Sequence, residues 1–223
     1  MGNFSIRGGS WVKLRLRLVI VVLAIVSVGL CSCDLFSTRT PEPPDIGSSF
    51  VWTPASIPST LLDNLKHTLE SLDATNYTKC FLNAKDSAIG GEKVSFMFVP
   101  RAGIDAASRS IFDSWTTQSE NNFMSKLRSA LVTNPRLSVI FSNAIYNQSS
   151  SNNARINSDY LIVLPTQSGS AIPDSLRGSM ILQTELVTTE QSTTEWRVVN
   201  WSDFTFVGSS LKTFTDLKVQ LSS

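Results

Sequence analysis

Arg136-Leu-Ser-Val-Ile-Phe-Ser-Asn-Ala-Ile-Tyr-Asn147 opens a series of four β-type segments that continues through Ser158–Pro165, Arg177–Val187 and Thr194–Phe204. Each is rich in β-branched or aromatic residues. The breaks between them, such as Ser149-Ser-Ser-Asn-Asn153 and Thr188-Thr-Glu-Gln-Ser-Thr193, are short and polar, as hairpin connections are. An antiparallel meander is the expected result. Upstream the period changes: Leu61, Leu62, Leu65, Leu69 and Leu72 recur at the spacing of one helical face, with Ser59 or Thr60 as cap and His67 on the wet side. A second short helix is expected over Asn76–Phe81, with Tyr77, Cys80 and Phe81 inward, then a strand over Val94–Val99 closed by Pro100. From about Asp105 to Val132 the chain reads as helical, with Thr117 and Glu120 at capping-box spacing ahead of Phe123, Met124, Leu127 and Leu131. The tail from Ser209 to Leu221 reads as a last helix or strand, with Leu211, Phe214 and Leu217 inward. The order predicts an α+β domain: N-terminal helices packed in a curved antiparallel sheet, one face on helix and the other partly wet.

The length of 223 residues suits one such domain. Four of the nineteen basic residues (Arg7, Lys13, Arg15, Arg17) and none of the eighteen acids lie in the first 32 positions, so the remaining 191 residues carry a net charge of −3. That balance offers no electrostatic attraction for phosphates, and no nucleic-acid partner is expected. Three cysteines, two of them at Cys31 and Cys33, make no disulfide framework. A single histidine argues against a zinc or His-rich metal site. Gly90-Gly91 precedes a strand rather than opening a helix, so it is no phosphate loop, and no cofactor is implied.

Leu18 to Leu30 is an unbroken apolar run of thirteen residues behind the basic segment. As helix it covers only ~20 Å of the ~30 Å hydrocarbon core, which fits a secretory leader better than a permanent span. The next residues, Leu30-Cys31-Ser32-Cys33, resemble the end of a bacterial lipoprotein signal, which implies cleavage before Cys33 and acylation, palmitate-type chains included, at its sulfur. Cys31 as acceptor would put Leu30 where a small side chain is wanted; an uncleaved signal anchor is the other reading. Each buried CH₂ contributes about 0.8 kcal/mol, so two or three acyl chains hold a protein stably at a membrane surface. Expected divisions are a signal peptide (1–32), a Pro-rich tether (33–55, with Pro41, Pro43, Pro44 and Pro54) and a domain (56–223). The expected location is the bacterial cell envelope, with inner or outer membrane left open: Asp34 resembles an inner-membrane retention signal only in some lineages. Asn76-Tyr-Thr, Asn147-Gln-Ser and Asn200-Trp-Ser would be glycosylation acceptors only in a eukaryotic host.

Two further stretches resemble the nuclear transport factor 2-like superfamily, a cone-shaped, cystatin-like α+β fold, and within it bacterial lipoproteins. They are Pro58-Ser-Thr-Leu-Leu-Asp-Asn-Leu-Lys66 with Tyr77-Thr-Lys-Cys-Phe81, and Trp196-Arg-Val-Val-Asn-Trp-Ser-Asp203 followed by Leu211-Lys212. The resemblance implies a conical pocket, for which Tyr77, Phe96, Phe98, Tyr160 and Trp196 are the candidate lining. An isomerase-type site there needs a carboxylate base and a Tyr or protonated acid as donor. Tyr77, Tyr146, Tyr160, Asp113, Asp159 and Asp203 are the available groups, and none stands in such an enzyme's motif. Tyr77 is expected with its ring in the core and its hydroxyl at the rim, Asp203 bonded to backbone or to a nearby Arg, and Cys80 as a small buried hydrophobe. Histidine-based dehydration would have to use His67, on the wrong side of its helix. Trp196 and Trp201, five apart on a strand, are expected on opposite faces. The leading functional expectation is therefore a non-catalytic binding or assembly module on a membrane anchor. An isomerase- or cyclase-like enzyme is the alternative, and homodimerisation through the sheet face is compatible with either.

Overall fold

The computed structural model describes residues 50–88, 95–131, 135–166 and 171–222, all within one compact unit spanning 49–223. The leader, Cys33, the tether up to Ser49, Gly90-Gly91 and Val94 lie outside the described residues.

Helix α1 (Pro58–Ser71) starts one residue ahead of the expected caps. Pro58 stands at its first position, where the missing N–H costs nothing, and Ile57 precedes it without a side-chain cap. The five leucines are all buried, Leu72 included, which closes the helix in the left-handed region at φ 51°. His67 is exposed and stacks on Phe50, with ring centroids 5.2 Å apart. Helix α2 (Ala74–Lys79) is capped by Asp73, whose carboxylate accepts from Asn76 N at 3.0 Å. Tyr77, Cys80 and Phe81 are fully buried. Strands β1 (Ser87–Ala88) and β2 (Met97–Val99) follow, then α3 (Ala106–Ser110) and α4 (Thr117–Ala130). The cap of α4 is Thr116 with Ser119, not Thr117 with Glu120: Thr116 N donates to Ser119 Oγ at 3.1 Å. Glu120 is thereby free to turn inward with Phe123, Met124 and Leu127, all on the buried side of the helix.

The meander is β3 (Ser138–Gln148), β4 (Asn153–Val163), β5 (Ser175–Thr188) and β6 (Thr194–Thr205), and α5 (Phe214–Ser222) closes the described chain. The sheet order is β2-β6-β5-β4-β3, with β1 beside β5; only β2 runs parallel to its neighbour. Strand β4 begins five residues before the expected Ser158, because Ala154 and Ile156 extend the inward alternation of Tyr160 and Ile162. The concave face carries the helices, while the convex face leaves Ile140, Ile145, Val163 and Phe204 in water.

A bulge in β6 changes which way its tryptophans point. Thr184 pairs with Val198 but Gln183 pairs with Asn200, so Val199 is the extra residue. Trp196 and Trp201, opposite Leu186 and Leu182, therefore share the inner face and are 3% and 0% exposed, rather than dividing between the two faces. The last residues of the expected tether (52–55) are packed onto the domain rather than extended in solvent. Ala55 is buried and its carbonyl accepts from Trp196 N at 2.8 Å; Thr53 O accepts from Asn64 Nδ2 at 2.6 Å; Trp52 lies between Lys79 and Arg197.

Candidate functional site

Helix α5 carries Phe214, Leu217 and Lys218 on one face, at i, i+3 and i+4, and this face enters the concave side of the sheet. Phe214 meets Trp201 edge-on at 4.7 Å and Tyr160 at 4.9 Å. The ammonium of Lys218, fully buried, sits among four rings: Phe98 at 4.1 Å, Trp115 and Phe123 at 4.9 Å, and Trp201 at 5.1 Å. It donates to Glu120 Oε1, which also accepts from Trp115 Nε1 at 2.8 Å, while Tyr77 hydroxyl donates to Oε2 at 2.9 Å. Burial pushes the lysine's pKa down, opposed by the Glu120 charge, and pushes Tyr77's pKa up, assisted by the same charge.

A second buried carboxylate anchors the start of α5. Asp203 Oδ1 accepts from Tyr160 hydroxyl at 2.7 Å, and Oδ2 accepts from Thr215 N at 2.8 Å and Thr215 Oγ1 at 2.6 Å. Tyr160 oxygen in turn accepts from Phe214 N at 3.0 Å. Burial raises both pKa values, with the Asp203 charge adding to the rise at Tyr160. Arg101 fastens the same end of the helix through a two-pronged contact with Asp216, at 2.7 and 3.2 Å. Each acid thus accepts from three of the protein's own donors and is shut away from solvent.

The five residues expected to line a pocket are all buried: Tyr77, Phe96, Phe98, Tyr160 and Trp196 are between 0% and 3% exposed. They pack with Phe81, Trp201 and Phe214 in the place where the resemblance implies a ligand. Tyr77's hydroxyl is inside with Glu120, not at a rim. Asp203 does bond to backbone, at Thr215, but its side-chain partners are Tyr160 and Thr215 rather than an Arg. Cys80 is buried, and burial pushes its thiol up to about 12, which fits a small hydrophobe. Tyr146, Asp113 and Asp159 lie elsewhere, exposed or half-exposed. The sequence reading places Glu120 in a capping box and does not single out Lys218, although each sits at helical spacing within an apolar stripe: Glu120 with Phe123, Met124 and Leu127, Lys218 with Phe214 and Leu217.

Open clefts border this core, and of the five expected lining residues Phe96 and Phe98 reach them. Two beside β2, of about 510 and 530 Å³, share Ser95, Phe96 and Thr116; the second has Phe98, Phe112 and Trp115 as floor. A third, of about 420 Å³, lies on the convex face between Ile145, Ile181 and Phe204. Among the described residues no group of His, Cys, Asp and Glu is arranged to hold a metal ion, and no helix is long and apolar enough to cross a membrane.

No protein-family model matches the chain, and no curated protein matches it. Solved structures do. A candidate aromatic ring hydroxylase from Novosphingobium aromaticivorans is 12% identical, with 72% of this chain and 92% of that one covered and a TM-score of 0.48. A Nostoc punctiforme protein of unknown function with a cystatin-like fold is 14% identical, covering 68% and 90%, TM-score 0.41. An NTF2-like protein of unknown function in nutrient uptake from Rhodospirillum rubrum is 13% identical, covering 67% and 98%, TM-score 0.42. The structural neighbours are NTF2-like and cystatin-like folds. Likeness at this level is one of chain path and carries nothing about site chemistry.

Proposed function

We propose that this chain is a bacterial envelope lipoprotein, acylated at Cys33, whose domain works by binding or assembly and not by catalysis. The observation that carries the second half is the filled concave face. Helix α5 occupies it with Phe214, Leu217 and Lys218, and the two acids there are bonded to Tyr77, Trp115, Lys218, Tyr160 and Thr215. An isomerase or cyclase needs an open chamber beside a carboxylate free to exchange protons. The anchoring half rests on the basic leader, the thirteen-residue apolar run and the Leu30-Cys31-Ser32-Cys33 ending.

The experiment is membrane fractionation and intact mass of the full chain with Cys33→Ser or Cys31→Ser. The reading expects acyl mass on wild type and on Cys31→Ser, and loss of both acyl mass and membrane association for Cys33→Ser. Wild type with its leader still attached and Cys33 bare would overturn the anchor. A small molecule that co-purifies and is chemically converted by the wild-type chain, with the conversion lost in Phe98→Ala and Trp201→Ala, would instead favour the enzyme.

A further inference from the structure

On the convex face, register aligns four side chains in one row: Ser142 opposite Asp159, Asp159 opposite Ser179, and Ser179 opposite Phe204. The next row is Ile145, Asn157, Ile181 and Ser202. Between them lies the cleft of about 420 Å³. Its polar centre is Asp159, whose Oδ1 accepts from Ser179 Oγ at 2.6 Å and Oδ2 from Asn143 Nδ2 at 2.8 Å. Asn143 reaches it from a β-bulge, where Asn143 and Ala144 together stand opposite Ser158, and it holds φ at +54°. No described cation forms an ion pair with Asp159. Each carboxylate oxygen retains a lone pair, in a half-exposed position flanked by Ile145 (56% exposed) and Phe204 (42% exposed).

We infer that this cleft is a saccharide site, with Asp159 receiving two neighbouring hydroxyls of a sugar ring whose C–H face rests on Phe204. A polyol matches each part of the surface. Its O–H groups make short, charge-assisted hydrogen bonds to an oriented carboxylate. Asn157, whose Oδ1 is taken by Arg155 Nε at 3.0 Å, keeps its amide N–H groups for a sugar oxygen. Ile145, Ile181 and Phe204 cover apolar carbon, giving the mixture of apolar wall and few convergent polar groups that marks a small-ligand site. A second copy of the chain fits less well. In a twofold contact the patch faces itself, so two Asp159 carboxylates would be dehydrated together, while the nearby arginines are already engaged, Arg155 with Asn157 Oδ1 at 3.0 Å and Arg177 over Phe206 at 3.9 Å.

The inference rests on the binding-module reading. The test is calorimetric titration of the full acylated chain in detergent with chitotetraose and with maltotetraose, backed by saturation-transfer NMR of the bound sugar. Binding of at least one sugar is expected, with its C–H protons saturated from the aromatic ring. Asp159→Ala and Phe204→Ala should each weaken binding at least tenfold, and Asn143→Gly, which keeps the backbone angle but loses the amide, about threefold. Far-ultraviolet circular dichroism checks that the variants fold. No binding of either sugar, binding of spermidine in their place, or a dimer that Phe204→Asp dissociates would each overturn it. Those failures leave acylation at Cys33 and the filled concave face standing; a ligand found among Phe98, Trp201 and Phe214 would instead overturn the reading beneath.

Discussion

Glu120 and Asp159 are both carboxylates braced by protein donors, and they sit on opposite faces of one sheet. Glu120 is closed in: three donors, four rings around its lysine, no exposed atom. Asp159 is held by two donors with its remaining lone pairs toward water. The contrast separates architecture from recognition. A charge buried among the protein's own donors fixes how helices dock, whereas a charge oriented but left partly wet is available to something outside.

The largest expected effect comes from breaking the enclosed pair. Lys218→Met leaves Glu120 charged and buried without its cation, and urea unfolding should show a loss of about 3–5 kcal/mol. Adding Glu120→Gln should restore at least half of that, because a neutral amide still accepts from Tyr77 or Trp115; failure to recover would mean the ammonium's ring contacts, not the charge pair, hold α5. Next is Gly178, opposite Tyr160 in the register. A β-carbon there would overlap the Tyr160 hydroxyl and stand 2.6 Å from Phe204 O, so Gly178→Ala should cost about 1–3 kcal/mol, read as a lowered melting temperature.

Asp203 sharpens the comparison through pH. Burial holds its carboxyl above the ordinary range, so between about pH 3.9, where the unfolded chain ionises, and the folded value, the native state keeps a proton that the unfolded state releases. Its contribution is full below that window and is lost as pH rises through the folded pKa. Asp203→Asn should cost about 1–3 kcal/mol and remove that downward slope from stability plotted against pH. The smallest effect is expected outside: Ile145→Ser on the convex face should shift unfolding by no more than about 0.5 kcal/mol. A larger loss would show that the convex face is packed against something in solution.

Most of the architecture was legible because it is written in periods. The α1 leucines, the inward trio of Tyr77, Cys80 and Phe81, and the four-stranded meander follow from spacings of 3.6 and 2. Two kinds of feature escaped. A bulge is a one-residue slip with no composition of its own, so Val199 silently moved Trp196 to the same side as Trp201. Residue chemistry misled as well: Glu120 and Lys218 occupy positions that spacing assigns to the core, yet a charge argues for the surface unless its partner, 98 residues away, is known. The convex cleft depends on strand register, which fixes that Asp159 stands between Ser142 and Ser179 and which no local pattern reveals.

The Lys218 contact also bears on the order of folding. Glu120 and Lys218 stand 98 residues apart with β3 to β6 between them, so those strands can pair before the acid meets its cation. Docking of α5 is then the step that closes the domain, since until it happens the centre holds an unmatched charge.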